Sequence, residues 1–284
     1  MHNGVKMIKS PAILGATSWA AISLIVMFVT AVPAEAQGRG KLTPHRAVYG
    51  MFLAGTSSAQ APSAIRGVMS YAFRDKCDGW QTDTKVLLRT THGSGPEVKN
   101  VRILKTWEAK DGRGYRFGFT ETHGGRERAR IKGVAVLDEN GGVAEYTKPV
   151  PRRITLPPGT LFPARHIAAL IKRAEAGGGH FGKVVFDGTA DNEPYHVSAV
   201  IGAPEKLEAR RPYLKKILRG AKSWKARLAY FPVAAAANTP EFALNIFYRE
   251  DGIIERMLQD YGDHVVEARL NQIEMLPKDA CAVR

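Results

Sequence analysis

The residues able to do chemistry in this chain are few and far apart. Two cysteines, Cys77 and Cys281, and eight histidines are spread over 284 residues. There is no C-x-x-C, and two cysteines do not complete a structural zinc site without histidine help. There is no H-E-x-x-H, and His45, His123, His166 and His180 show no ligand spacing, so no metal and no cofactor is expected. A G-x-S-x-G elbow is missing; Gly93-Ser94-Gly95 lacks the strand–turn–helix setting that would expose a nucleophile. No Walker or dinucleotide glycine pattern occurs. These observations direct the reading away from an enzyme.

Two neighbouring cation pairs are candidates for holding an anion. His45-Arg46 and Arg165-His166 each set an imidazole beside a guanidinium, a combination suited to an anionic headgroup. The competing reading is structural and takes precedence: His45 satisfies backbone where the first strand starts, and His166 faces outward on the first turns of a helix. A second basic set, Arg210, Arg211, Lys215 and Lys216, stands beside Leu207, Leu214, Ile217 and Leu218. It suits contact with an anionic membrane surface, or else forms a solvated flap over one end of a sheet. Cys77 and Cys281 are expected to form one intramolecular disulfide, with two free thiols or an intermolecular bridge as alternatives. Chain entropy assigns a loop of about 200 residues roughly 5 kcal/mol as an upper value. Cys77-Asp78-Gly79-Trp80 reads as a turn with a packed aromatic rather than a redox site.

The elements that must position these residues are mostly strands. Apolar residues alternate with polar ones in Ala47-Tyr49-Met51-Leu53, in Gly67 to Phe73, in Val101 to Trp107 and in Tyr115 to Phe119. Asp111-Gly112, Gly124-Gly125 and Asn140-Gly141-Gly142 mark turns between them. A long antiparallel meander follows, ending or turning at Pro149-Val150-Pro151 because proline cannot donate to a central ladder. Phe162 to Ala176 is the one clear helix, with Ile167, Leu170, Ile171 and Ala174 on one face, Thr160 as its expected N-cap and Gly177-Gly178-Gly179 as its stop. Alternation resumes in 181–186, 195–201, 222–231, 242–248, 253–261 and 264–275. Between them, 204–220 has a helical pattern that Pro212 is expected to interrupt. The count is 13 or 14 strands. Leu170, Ile171, Trp107, Phe117 and Phe119 are expected either to line an apolar cleft or to be plain core.

The N-terminus addresses the compartment. Lys6 and Lys9 precede an apolar run from Pro11 to Val32, and Ala34-Glu35-Ala36 follows. These are the parts of a secretory signal, so residues 1–36 are expected to be removed after Ala36, leaving a flexible leader at 37–41 and one domain over 37–284. The alternative is an uncleaved anchor, since the apolar run approaches spanning length. Cleavage would lower the net charge of +14 by one. A positive charge of that size usually points to nucleic acid, which an exported protein rarely meets. Anionic lipid or envelope polymer is the expected counter-charge, with a dispersed basic surface as the alternative.

Four stretches resemble one known family. They are Leu42-Thr43-Pro44-His45-Arg46-Ala47-Val48-Tyr49; Cys77-Asp78-Gly79-Trp80; Pro158-Gly159-Thr160-Leu161-Phe162-Pro163-Ala164-Arg165-His166; and Tyr248-Arg249-Glu250-Asp251-Gly252 with Tyr261-Gly262-Asp263 and Glu274-Met275-Leu276-Pro277. Together they resemble the envelope integrity protein B (EipB-like) family of alphaproteobacteria, a periplasmic domain of unknown function. The resemblance implies a mainly β fold: a single antiparallel β-spiral of about 14 strands, a strongly curved sheet with one main α-helix, similar to periplasmic lipoprotein carriers. It implies a disulfide between positions like Cys77 and Cys281, a periplasmic location and a non-enzymatic role in envelope integrity. The expected partner is an envelope lipid, a lipoprotein or a periplasmic protein, with no nucleic acid; an enzyme on an envelope polymer and a purely structural partner-binding protein are the alternatives. The resemblance supplies no ligand and no catalytic residues. The basic 126–132 stretch and the 204–220 segment depart from the family pattern.

Overall fold

Strict alternation produces a sheet with one covered face. In β6 (Arg126–Asp138) Ile131, Gly133, Ala135 and Leu137 are buried while Lys132, Val134 and Val136 between them are exposed. The computed structural model describes residues 42–189, 194–205, 212–233 and 238–279. Before β6 come β1 (His45–Thr56), β2 (Ala64–Asp75), β3 (Gly79–Thr91), β4 (Val98–Ala109) and β5 (Gly114–His123). After it come β7 (Gly141–Lys148), β8 (Arg152–Leu156), α1 (Pro163–Glu175), β9 (Gly179–Val185), β10 (Tyr195–Glu205), α2 (Pro212–Ile217), β11 (Ser223–Pro232), β12 (Phe242–Arg249), β13 (Ile254–Asp260) and β14 (His264–Met275).

All 14 strands form one antiparallel sheet in the order β8-β7-β6-β5-β4-β3-β2-β1-β14-β13-β12-β11-β10-β9. Two meanders meet where β1 pairs with β14, a seam running from His45↔Met275 to Thr56↔His264. The sheet is strongly curved. Arg102 on β4 reaches Tyr261, just past β13. Along the sheet these residues are five strand spacings apart, about 24 Å. The two sheet edges also approach one another without forming a ladder. Leu161, beyond β8, donates its N–H to the Val184 carbonyl at 2.8 Å and accepts from Phe186 at 3.0 Å, a single parallel bridge. The sheet therefore curls without closing into a barrel.

The inner face holds the core. Tyr115, Phe117, Tyr146, Phe162 and Phe186 pack together under one half, with Tyr115 stacked on Phe162 at 4.8 Å. Leu170 and Ala174 of α1 pack on Val197, Leu228, Trp224 and Ile246 under the other half. Leu214 and Leu218 join Tyr49, Leu270 and Ile273 at the seam.

One local expectation is corrected and two are narrowed. The N-cap of α1 is Phe162, not Thr160; the Thr160 hydroxyl is used in the preceding turn, donating to the Pro157 carbonyl at 2.7 Å. Pro212 stands in the first turn of α2, where its fixed φ and missing N–H are tolerated, and the 206–211 part of the expected helical pattern lies outside the described residues. At Pro149–Pro151 the meander turns and continues, adding β8 as a short edge strand.

Candidate functional site

The first turn of α1 has no side-chain cap of its own. Its exposed amides are satisfied from another element: the Glu108 carboxylate, near the end of β4, accepts from Ala164 N at 2.7 Å and from Arg165 N at 2.8 Å. A carboxylate at a helix N-terminus also meets the positive end of the helix dipole. Around this contact Leu42, Phe73, Ala164 and Ile171 cluster, with Trp80, Tyr71 and Ile167 against them. Trp80 stacks on Phe73 at 4.9 Å, and the Lys110 ammonium lies 2.9 Å above the Trp80 ring. Gly252, at φ 83°, lets the turn after β12 press on Leu42; a Cβ there would come within 2.6 Å of the leucine.

The ionisable groups of this region are strongly perturbed, and each has a structural use. Burial pushes the Glu108 carboxyl up to about 7, against the pull of its two amide donors and of Arg165. Burial pushes the His166 imidazole down to about 4; the ring stacks on Phe181 at 6.1 Å, and its Nε2 is buried with no hydrogen-bond partner. His45 is also held below its usual value by burial, with Nδ1 2.8 Å from the Thr43 carbonyl. Arg249, only 4% exposed, binds Asp251 at 3.1 Å, Glu255 at 3.5 Å and the Leu218 carbonyl at 2.7 Å, which ties α2 to the β12–β13 turn.

Away from the helices the inner face is less filled. Leu53, Met69, Val86, Leu88, Met257 and Tyr261 point inward and are only partly buried. Beside them Arg102 bonds Glu121 at 2.6 Å and holds the Tyr261 hydroxyl, which burial pushes above its usual value against the pull of that arginine. Tyr261 in turn stacks on His264 at 5.0 Å. The chemistry on offer is an apolar, half-open surface with one charged cluster at its margin. Among the described residues no group of three His, Cys, Asp or Glu side chains could hold a metal ion.

Residues 36–277 match the family described as EipB-like. The chain belongs to the EipB-like family. It is 26% identical over 246 residues to the cell envelope integrity protein EipB of Brucella abortus (strain 2308), covering 85% of this chain and 87% of that one. Its fold is similar to the crystal structure of a β-barrel-like protein of domain of unknown function DUF1849 from Brucella abortus, with a TM-score of 0.77, 26% identity, and coverage of 83% of this chain and 99% of that one.

In this EipB-like chain most of the stretches that carry the family resemblance meet at α1 and the turns around it, whereas Tyr261-Gly262-Asp263 lies at the opposite end of the β1–β14 seam, beside Ser57. The residues expected to hold an anion do not converge. His45 and His166 are 2% and 4% exposed, so His166 faces inward, not outward: its position is in line with Leu170 and Ala174 on the packed side of α1. Arg46 is exposed and paired with Glu274 at 2.8 Å. Arg165 lies over the β4–β5 turn, where a Cβ on Gly112 would meet its Nε at 2.8 Å. Lys215 and Lys216 are exposed on α2. Arg210, Arg211, Cys281 and the leader up to Lys41 lie outside the described residues. Of the expected lining residues, Leu170, Ile171 and Phe117 are core, Phe119 is half-buried beside it, and Trp107 belongs to the opposite face, where Arg116 stacks on it at 3.9 Å. Sequence reasoning missed Glu108, Arg249 and Arg102. Glu108 and Arg102 carried a usable signal: each is a charge on the inward parity of a strand whose other inward residues include Leu104 and Thr106.

Proposed function

We propose that this chain is an exported, periplasmic, non-enzymatic factor for cell-envelope integrity that holds a lipidic or protein component of the envelope against the inner face of its sheet. The reading rests on the family membership and on the name of the Brucella relative. The observation that carries the binding surface is the set of inward apolar side chains that stay partly uncovered: Leu53, Met69, Val86, Leu88 and Met257. In a filled core such residues would be fully buried, and uncovered apolar area of this kind favours an apolar occupant. The strongly perturbed carboxylate and imidazole support a binding role rather than catalysis, because Glu108 is committed to the α1 amides and His166 to packing against Phe181.

The test is displacement of a fluorescent amphiphile by envelope lipids, lipopeptides and neutral detergents. Saturable binding is expected, weakened about tenfold or more when Leu88→Arg puts a charge into the apolar surface. Binding unchanged in that variant, or no saturable binding of any lipid, overturns the inner-face reading. In-cell crosslinking that traps one protein and no lipid selects the protein component.

The proposed Cys77–Cys281 disulfide belongs to the same reading. Asp279 is described and lies against the Cys77 turn: Lys76 Nζ is 3.0 Å from its carboxylate, and its N–H is 3.4 Å from the Asp75 carbonyl. Two further residues span at most about 7 Å, within reach of a disulfide. Cys77→Ser is expected to lower stability by about 2–5 kcal/mol under oxidising conditions and by little after reduction. Equal stability in both conditions would remove the bridge.

A further inference from the structure

The basic stretch that departs from the family pattern enters β6 and supplies Lys132. On the face turned away from the core, four successive strands place Lys105 (β4), Gly118 (β5), Lys132 (β6) and Lys148 (β7) directly opposite one another. Lys105 and Lys132 thus flank the glycine at one strand spacing each, about 10 Å apart on the backbone. Gly118 leaves a gap between them: a Cβ built there meets nothing within 4 Å. The gap is the floor of an open cleft of about 700 Å³, with Arg116, Trp107, Arg130 and Val134 also at its rim.

The charges in this row meet a carboxylate at one end only, where Asp83 on β3 stands directly opposite Lys105. Lys105, Lys132 and Lys148 have no ion-pair partner among the described residues, and Arg116 is engaged only with the Trp107 ring. Arg130 is paired with Glu127, and the one carboxylate in the lining, Asp83, is taken by Arg74 and Gln81. On the same face some cations have partners, as in Arg46–Glu274, Arg89–Glu97 and Arg153–Glu145, whereas Lys85 and Lys225 have no ion-pair partner among the described residues. Like charges directly opposite in a sheet are destabilising. An external counter-anion would relieve them.

The row is bordered by exposed apolar side chains. Val134 and Val136 follow Lys132 on the same face of β6 at 42% and 63% exposure, and Val150 follows Lys148 at 62%. Lysines that reach phosphates while neighbouring aliphatic groups meet acyl chains form the pattern of a surface lying on an anionic bilayer. A site for free phosphate would gain nothing from exposed valines.

We propose that the outer face of β4–β7 is a docking surface for an anionic, phosphate-bearing lipid surface, with Lys105, Lys132 and Lys148 around Gly118 as the headgroup contacts and Val134, Val136 and Val150 as the apolar ones. This surface is independent of what the inner face holds.

Sedimentation of the protein with phosphatidylglycerol–phosphatidylcholine vesicles tests it. Binding is expected to anionic vesicles and not to phosphatidylcholine alone, and to weaken with salt. Replacing Lys105, Lys132 and Lys148 together by Gln lowers partitioning roughly 100-fold, at about fivefold per lysine. Gly118→Glu keeps every lysine, places a carboxylate among them and lowers binding severalfold; circular dichroism checks that both variants are folded. Replacing Lys172, Lys222 and Lys225 by Gln removes the same charge from exposed positions outside β4–β7 and leaves most binding in place. Three outcomes overturn the proposal: wild-type partitioning in the lysine and Gly118→Glu variants, an equal loss in the control triple variant, or equal binding to neutral vesicles. Saturable binding of inorganic phosphate without vesicle binding also overturns it, in favour of a soluble phosphate ligand.

Discussion

Two regions of the outer face manage like charges in opposite ways. Beside the seam, Arg256 on β13 stands directly opposite Arg269 on β14, but Glu267 lies between them, bonded to Arg256 at 2.6 Å and to Arg269 through its second oxygen at 2.9 Å. Burial pushes the Glu267 carboxyl up, yet Arg269 and Arg256 pull harder and hold it below its usual value. Arg269 also covers the Phe52 ring at 4.6 Å. Across β4–β7, Lys132 stands directly opposite Lys148 with no carboxylate between them. The residue types match the difference. Planar guanidinium groups hold fixed, multidentate pairs and stack on rings, whereas lysines carry a mobile point charge that stays available. One region is a finished structural joint; the other remains open.

The largest expected effect sets the inner limit of this comparison. Glu108 is a buried carboxylate answered mainly by amides, and its folded value of about 7 lies above that of the unfolded chain, near 4.5. The folded protein therefore keeps this proton longer. The group's contribution is complete below about 4.5 and is lost as pH rises through about 7, a fall of roughly 3 kcal/mol. In Glu108→Gln this part of the pH dependence should vanish, read as the difference between wild-type and variant urea titrations across that window. A constant difference would assign the slope to another group.

Next in size is Glu267→Gln. It leaves the two arginines facing each other across a neutral amide and should cost about 2 kcal/mol near neutral pH, less than a fully buried pair because both arginines remain partly solvated. Since the folded value is depressed, the advantage of the native carboxylate is present above the unfolded value and lost as pH falls through the folded one. A cost that persists at low pH would contradict the pairing. The smallest effect is the most diagnostic. Lys132→Gln should leave the protein as stable or raise stability by about 0.5 kcal/mol at low salt, with the gain vanishing at high salt. A loss of stability there would show that the lysine row is also a finished joint.

Much of the fold was legible because inward and outward residues alternate so regularly. The strands around Tyr49, Tyr115 and Leu228, and the helix face of Leu170 and Ala174, could be read from period alone. The candidate site was less legible. The polarity of His166 points outward while its period points inward, in register with Leu170 and Ala174, and the period decides. Glu108 was overlooked because its partners, the amides of Ala164 and Arg165, are more than fifty residues away. The lysine row was invisible as a group, since Lys105, Lys132 and Lys148 become neighbours only through strand register.

The amino-acid sequence by itself determined the class of this protein: a long antiparallel meander interrupted by one main helix, with a basic balance, because period and turn chemistry are local properties. Tertiary structure alone decided which charges would meet. Strand pairing placed Lys132 opposite Lys148, and curvature carried Arg102 across five strand spacings to Tyr261. Registers and curvature arise from the packing of the whole sheet, so no single segment encodes them.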